Sequence, residues 1–214
     1  KGTEFMGVKI YNVGMNNIHL TSEGQLGPGF FIDTVRTFSN FYPAVGDWTS
    51  GSTSQFRLNM GQNTFMGDPL GYQPYDPDYS DSKWFGAGAV SNGIVTPGNI
   101  DMMLYDKQYT SGKYYFEVEF VTSTLSAVIF HDGSSTYSGT IRNKGVGAAF
   151  YTNYAITWLN AFNDDTDFNW ANVGSGAGIG SGEYAQVYAD FDNQNLCVRK
   201  FNTSKDQYIN YREV

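Results

Sequence analysis

Polar and apolar side chains alternate along residues 113–121, and this pattern limits the fold more than any other feature of the chain. One side of an extended backbone would carry Glu117 and Glu119, and the other side would carry only apolar groups. A period of two is that of a β-strand with one buried face, because successive side chains point to opposite sides of the strand. The segment therefore predicts a half-buried strand, with an apolar face made of Tyr114, Phe116, Val118 and Phe120.

Further segments of the second half carry strand patterns bounded by turn residues. Asp192-Asn193-Gln194-Asn195 separates two of them, and such a composition predicts a hairpin. No segment combines helical spacing with the residues that cap a helix. We therefore predict an all-β protein whose further strands lie at 125–130, 147–151, 185–191 and 196–201, with less regular candidates at 8–13, 30–36 and 55–58.

Composition excludes several classes of protein. The chain has 16 Phe, 16 Tyr and 4 Trp but only 16% charged residues, which is the opposite of a disordered sequence. A formal net charge of -8 repels phosphate, so we expect no nucleic-acid partner. The single cysteine excludes an intramolecular disulfide, and the absence of a long apolar run argues against membrane insertion.

Two motifs of the chain carry a resemblance to a known family. The first is Ser-Gly-Lys-Tyr-Tyr-Phe-Glu-Val at residues 111–118, which follows an Asn92-Gly93 turn. The second runs over residues 182–196 and contains Asp190-Phe191-Asp192-Asn193. Together they resemble the SPRY family, in the short form found in bacteriophage virion proteins. The chain departs from the family pattern at Glu183 and Gln186, where the family usually has Asp and Gly.

The resemblance covers about residues 72–214. It implies an antiparallel β-sandwich of the jelly-roll, concanavalin-like type, with a binding surface made by loops at one end, and it implies no chemistry. All six prolines lie between positions 28 and 97, and none follows. Because proline is the commonest strand breaker, this asymmetry indicates a boundary or a change of character near residues 72–82. We expect an expression-tag remnant at 1–5, an N-terminal β-rich segment at 6–71 that packs on the sandwich or attaches it to a particle, and the SPRY-like sandwich at 72–214.

The candidate ligand-binding residues lie mainly in segment 154–170, which mixes aromatic rings with amides and carboxylates. Rings stack on the apolar faces of sugars while amides and carboxylates bind hydroxyls, and large rings also anchor protein interfaces. The alternative is that part of these rings fill the core. With Tyr137 from a Ser- and Gly-rich stretch, the candidates are Tyr137, Tyr154, Trp158, Asn160, Asp164, Asp165, Asp167 and Trp170.

Catalytic motifs are weak in this sequence. Glu117 and Glu119 would share one strand face, where a retaining glycosidase needs two carboxyl groups about 5–5.5 Å apart. The E-x-D-x-x-E pattern of sandwich glycosidases fails because residue 122 is Thr, and G-x-S-x-G is absent. We favour the interpretation that both glutamates lie on a solvated face or bond a neighbouring strand, and we expect no enzyme and no catalytic residue.

Acidic residues cluster at positions 76–81 and 164–167, and calcium favours such oxygen-rich loops. Neither cluster has the glycine and the distal glutamate of an EF-hand loop. Solvated acidic loops are therefore the favoured interpretation, and we expect no metal and no cofactor.

Together these features predict a non-enzymatic virion surface or tail component of a bacteriophage that binds a host-surface glycan or protein. Other virion proteins would be its further partners, and a homotrimer is compatible with that role. The alternatives are a cytoplasmic SPRY-type interaction module, a structural capsid or tail protein without a ligand, and a glycan-cleaving enzyme on the same fold.

Overall fold

The computed structural model describes residues 4–5, 8–9, 30–33, 39–47, 53–99, 101–123, 125–133, 145–151, 156–161 and 179–201. Over these ranges the chain forms strands and one 3-10 turn at Asp81–Lys83, without an α-helix. No helix among them is long and apolar enough to cross a membrane. The strands are β1 (Glu4–Phe5), β2 (Val8–Lys9), β3 (Phe30–Asp33), β4 (Tyr42–Asp47), β5 (Gln55–Asn59), β6 (Gln73–Pro74), β7 (Trp84–Gly86), β8 (Gly88–Ser91), β9 (Ile94–Pro97), β10 (Met102–Tyr105), β11 (Lys113–Thr122), β12 (Leu125–His131), β13 (Gly145–Tyr151), β14 (Ile156–Ala161), β15 (Glu183–Asp190) and β16 (Asn195–Phe201).

The strands build two large sheets, and the predicted all-β sandwich is confirmed. One sheet has six strands in the order β14-β13-β12-β4-β10-β7. Among the described strands, β1 and β2 form a separate two-stranded sheet. The other has eight strands, ordered β3-β16-β15-β11-β5-β9-β8, with the short β6 joining β11 as a parallel neighbour. The six-stranded sheet contains β4 and the eight-stranded sheet contains β5, so each includes a strand from before residue 72. The division of the chain at that residue stays a prediction.

The strand predicted at 113–121 is β11, which lies inside the eight-stranded sheet. It pairs with β15 from Lys113–Asp190 to Phe120–Glu183, and on its other side with β5. The strands expected at 125–130, 147–151, 185–191 and 196–201 are also present, as β12, β13, β15 and β16.

The predicted Asn92-Gly93 turn joins β8 to β9. Asn92 has φ 54° and Gly93 has φ 73°, which are the left-handed conformations of a two-residue hairpin turn. The pair that closes the turn is Ser91 and Ile94.

The main core lies between the two sheets. Phe116, Val118 and Phe120 of β11 are buried there, so the apolar face predicted from the alternation is the inner face. The six-stranded sheet contributes Val128 and Phe130 to the same cluster.

A second apolar cluster lies on the opposite, outer face of the six-stranded sheet. Met102, Leu104 and Ile129 are buried in it, while their strand neighbours Met103 and Val128 belong to the main core. The centre of this sheet is therefore apolar on both faces, which explains why β10 has a continuous apolar sequence rather than an alternating one.

Candidate functional site

The residues predicted to bind a ligand lie only in part within the described structure. Trp158 and Asn160 are in β14, at the edge of the six-stranded sheet, where their backbones pair with Ala148 and Val146. The other candidates fall outside the described residues; these are Tyr137, Tyr154, Asp164, Asp165, Asp167 and Trp170. A ligand site built from the whole set stays a prediction.

The described residues form a groove of about 690 Å³ on the outer face of the eight-stranded sheet, called here the sheet groove. Strands β5, β11 and β15 contribute Arg57, Asn59, Glu117, Glu119 and Tyr184 to it. Residues 60–72, called here the covering segment, contribute Gln62, Asn63, Thr64 and Met66. Residues 79–93 contribute the remaining side, with Tyr79, Ser80, Asp81, Asn92 and Gly93.

The strand register explains why these side chains meet. Glu119 lies between Arg57 of β5 and Tyr184 of β15, so the three residues form one cross-strand row. Glu117 lies between Asn59 and Gln186 in the next row on the same face. The polar positions of the predicted alternation are therefore the ones that line the sheet groove.

Glu119 forms an ion pair across this row. Its Oε2 accepts from Nη1 of Arg57 at 2.5 Å, and the two side chains are 18% and 50% exposed. Burial raises the pKa of the neighbouring Tyr184 hydroxyl, and the negative charge of Glu119 raises it further. The interpretation that Glu119 bonds a neighbouring strand is confirmed.

Glu117 differs from the expected solvated or strand-bonded carboxylate, because the covering segment buries it. It is 1% exposed and accepts hydrogen bonds from the backbone N–H of Gly67 at 2.7 Å and of Met66 at 3.0 Å. The Tyr115 hydroxyl donates a third bond at 2.6 Å. The carboxylate thus fastens the covering segment to the sheet.

The covering segment approaches the sheet so closely that a side chain at position 67 has no room. A Cβ built on Gly67 would lie 1.5 Å from Nε2 of Gln186. The Tyr188 hydroxyl adds a second attachment by donating to the Asp68 carbonyl at 2.7 Å. No local sequence pattern could have predicted these contacts, since the partners are 50 or more residues apart.

The other side of the sheet groove is held by aromatic packing and one loop contact. Tyr79 stacks on Tyr105 with ring centroids 5.4 Å apart, and its hydroxyl accepts from Nε1 of Trp84 at 3.0 Å. Burial raises the pKa of Tyr79 to about 12. Asp81 accepts from the Gly93 N–H at 3.0 Å and ties the 3-10 turn to the β8–β9 hairpin.

Asp76 was expected in a solvated acidic loop, and the structure corrects this interpretation. It is fully buried and accepts from Lys83 at 2.6 Å, Lys107 at 3.1 Å and the Tyr105 hydroxyl at 2.7 Å. Burial alone would raise the pKa of Asp76, but these bonds lower it below its ordinary value. The lysines neutralise the carboxylate that a calcium ion would need.

Within the part of the chain that is described, no three His, Cys, Asp or Glu side chains are grouped to hold a metal ion. The second acidic cluster, at 164–167, lies outside that part.

The fold and the groove together define an all-β sandwich with a polar recess on one sheet face. No protein-family model, curated protein or solved structure with which the chain was compared matches it. The chemistry of the sheet groove is therefore the basis for a functional assignment.

Proposed function

We propose that the protein is a non-enzymatic binding protein whose sheet groove receives a hydroxyl-rich ligand, namely a glycan of a host surface. The observation that carries this proposal is a recess of about 690 Å³ lined by amide, carboxylate, guanidinium and phenol groups. A concave site with convergent polar groups is the default location for a ligand. Hydroxyl groups donate and accept hydrogen bonds, so this mixed lining suits them.

The lining residues divide into those that shape the sheet groove and those that face solvent. Asn59 and Gln62 are engaged internally: Asn59 donates to the Thr64 carbonyl, and Gln62 donates to the Leu58 carbonyl. Asn63 and Asn92 are exposed and stand on the two sides of the recess. These two amides are the proposed ligand contacts.

Two phenol rings provide apolar surface beside these polar groups. Tyr184 and Tyr79 both line the recess and are partly buried, which limits the side-chain entropy that binding costs. Aromatic side chains of this kind offer an apolar face to sugar C–H groups and a hydroxyl to polar ones.

The proposed setting is the surface or tail of a bacteriophage virion. The SPRY-type motifs at 111–118 and 182–196 support it, as does a composition rich in Gly and Tyr. Other virion proteins would then be neighbours, and a homotrimer is compatible with this setting. A cytoplasmic interaction module that binds a peptide is the alternative setting for the same recess, and a structural virion protein without a ligand is a further one.

Glu117 and Glu119 favour one second candidate, a glycan-cleaving enzyme, because both carboxylates line the recess. Their bonds support the non-enzymatic proposal instead. Glu117 is 1% exposed and accepts from three donors, and Glu119 is paired with Arg57. A glycosidase needs one carboxylate that reaches the sugar and one carboxyl group that donates a proton.

The test is a glycan array probed with the purified protein and with single alanine variants. Asn63→Ala and Asn92→Ala remove the proposed contacts, while Gln73→Ala removes an exposed amide outside the recess and is the matched control. Trp158→Ala and Trp170→Ala test the segment 154–170 predicted from the sequence. We expect selective binding that the two groove variants weaken at least about tenfold, with the control unchanged.

Three results would contradict the proposal. Loss of binding only in Trp158→Ala or Trp170→Ala would move the site to the 154–170 segment. Binding to no glycan would overturn the glycan ligand. Hydrolysis of a bound glycan by the wild type, abolished by Glu117→Gln or Glu119→Gln, would make the protein an enzyme.

A further inference from the structure

The sheet groove has an unbalanced charge. Its lining contains one cation, Arg57, and three carboxylates, those of Asp81, Glu117 and Glu119, which gives a net formal charge of -2. The chain as a whole carries -8. A recess lined mainly by one sign of charge concentrates ligands of the opposite sign and repels those of the same sign.

The guanidinium of Arg57 would be the natural partner of an acidic ligand, but Glu119 already binds it at 2.5 Å. A ligand carboxylate would have to displace Glu119 or share the guanidinium with it, because Glu119 is bonded to Nη1 of Arg57. In either case Glu119 would stay next to the ligand as a like charge. Such a juxtaposition disfavours the wrong ligand, which is how proteins often achieve specificity.

Glu119 is also held in position from its other side. Tyr184 is its cross-strand neighbour on β15, and the pKa of the Tyr184 hydroxyl is raised by burial and by the charge of Glu119. The carboxylate therefore has a neighbour in each adjacent strand, and its position over the recess is defined by the register of the sheet.

We propose that Glu119 determines the ligand class of the sheet groove: by occupying Arg57 it admits uncharged and amino-bearing glycans and excludes acidic ones. This inference rests on the proposed function, because it specifies the glycan that the same recess would take. It also predicts a gain of function, since the variant Glu119→Gln frees Arg57 for an acidic ligand.

The test compares three hexasaccharide probes. They are the hexamer of N-acetylglucosamine, its deacetylated form, and the hexamer of galacturonate. For the wild type we expect the galacturonate probe to bind at least about tenfold more weakly than the better of the other two. For Glu119→Gln we expect galacturonate binding to strengthen about tenfold. The double variant Arg57→Gln/Glu119→Gln should lose that gain.

Asp106→Asn is the matched control, because it removes one negative charge from an exposed position outside the recess. An equal gain in Asp106→Asn would assign the effect to net charge and overturn the inference. The salt dependence of the wild type gives a test without substitution: binding of the deacetylated probe should weaken as the salt concentration rises.

Failure of the inference and failure of the proposed function are distinguishable. If the wild type binds galacturonate as well as the uncharged probe, the role of Glu119 is wrong while the glycan-binding function stands. If neither the wild type nor Glu119→Gln binds any of the probes or the array, both are wrong.

Discussion

The outer faces of the two sheets differ in chemistry although their strands pair in the same antiparallel manner. On the six-stranded sheet, Leu104 and Ile129 are buried in an apolar cluster. On the eight-stranded sheet, Arg57 and Glu119 form a partly exposed ion pair beside a recess. The comparison teaches that the two outer faces of one sandwich can differ: one is buried by apolar packing, and the other carries the polar recess in which we propose that a ligand binds.

The two faces should also differ in what they contribute to stability. Apolar burial stabilises by about 25 cal/mol per Å² removed from water, while an exposed ion pair contributes at most about 1 kcal/mol. The following predictions test this difference, beginning with the largest expected effect.

Leu104→Ala on the six-stranded sheet should lower the free energy of unfolding by about 2–5 kcal/mol, because it leaves a cavity in a buried apolar cluster. Arg57→Ala is the comparison on the eight-stranded sheet and should cost less than about 1 kcal/mol. Urea unfolding followed by tryptophan fluorescence measures both. Similar losses for the two variants would remove the difference between the faces.

Gly67→Ala should lower the free energy of unfolding by about 1–3 kcal/mol, since the new Cβ would collide with Gln186 and push the covering segment from the sheet. Hydrogen exchange of the Met66 and Gly67 amides should accelerate, because both donate to Glu117. Gly180→Ala is the control, as its Cβ would meet its nearest neighbour, Glu183, only at 3.5 Å. Unchanged exchange in Gly67→Ala would show that the covering segment is not fastened in this way.

Carboxylates of the two sheets should respond to pH with opposite signs. Burial raises the pKa of Asp190 on the eight-stranded sheet, but bonds from Asn193 and Lys113 lower it below 3.8 overall. Its contribution is therefore present above that pH and lost as the pH falls through the lowered pKa. Burial raises the pKa of Asp47 on the six-stranded sheet above 3.8, despite bonds from Ser54, so its contribution is present below that pH and lost as the pH rises through the raised pKa.

Unfolding measured between about pH 2.5 and about pH 6 checks these signs, with a change of about 1.4 kcal/mol for each unit of pKa difference. Asp190→Asn should reduce the loss of stability that accompanies a fall in pH. Asp47→Asn should reduce the loss of stability that accompanies a rise in pH. The same response from both variants would contradict the assignment.

The smallest expected effect is the coupling between Arg57 and Glu119. A double-mutant cycle with Arg57→Gln and Glu119→Gln should give about 0.2–1 kcal/mol, because the arginine is half exposed. A coupling above about 2 kcal/mol would mean that the ion pair stabilises the fold substantially. It would contradict the small contribution to stability that we assign to this outer face.

Sequence patterns predicted the strands whose periodicity is local. β11 alternates between apolar and charged residues from Phe116 to Phe120, β15 places Ala185, Val187 and Ala189 on one face, and the Asn92-Gly93 turn carries its own conformational preference. β4 and β10 gave no such pattern. β10 is apolar at every position because both faces of its sheet are buried, and β4 contains Pro43 and Gly46, which are unusual within a strand.

The sheet groove was only partly predictable. Glu117 and Glu119 stand out in the sequence because they share one face of a strand. Arg57 and Asn63 carry no comparable pattern, and Asn92 stands out only as a turn residue. They reach the recess through the pairing of β5 with β11 and through two separate turns. The ligand site expected at 154–170 stays a prediction.

The sequence by itself determined the all-β class and the two faces of β11, because a period of two follows from the backbone of a single strand. Only the tertiary structure decided that the covering segment buries Glu117 while Glu119 stays at an open recess. The physical reason is distance along the chain: Glu117 is 50 residues from Gly67 and Glu119 is 62 from Arg57. Such contacts form only when β5 and the covering segment come together with β11.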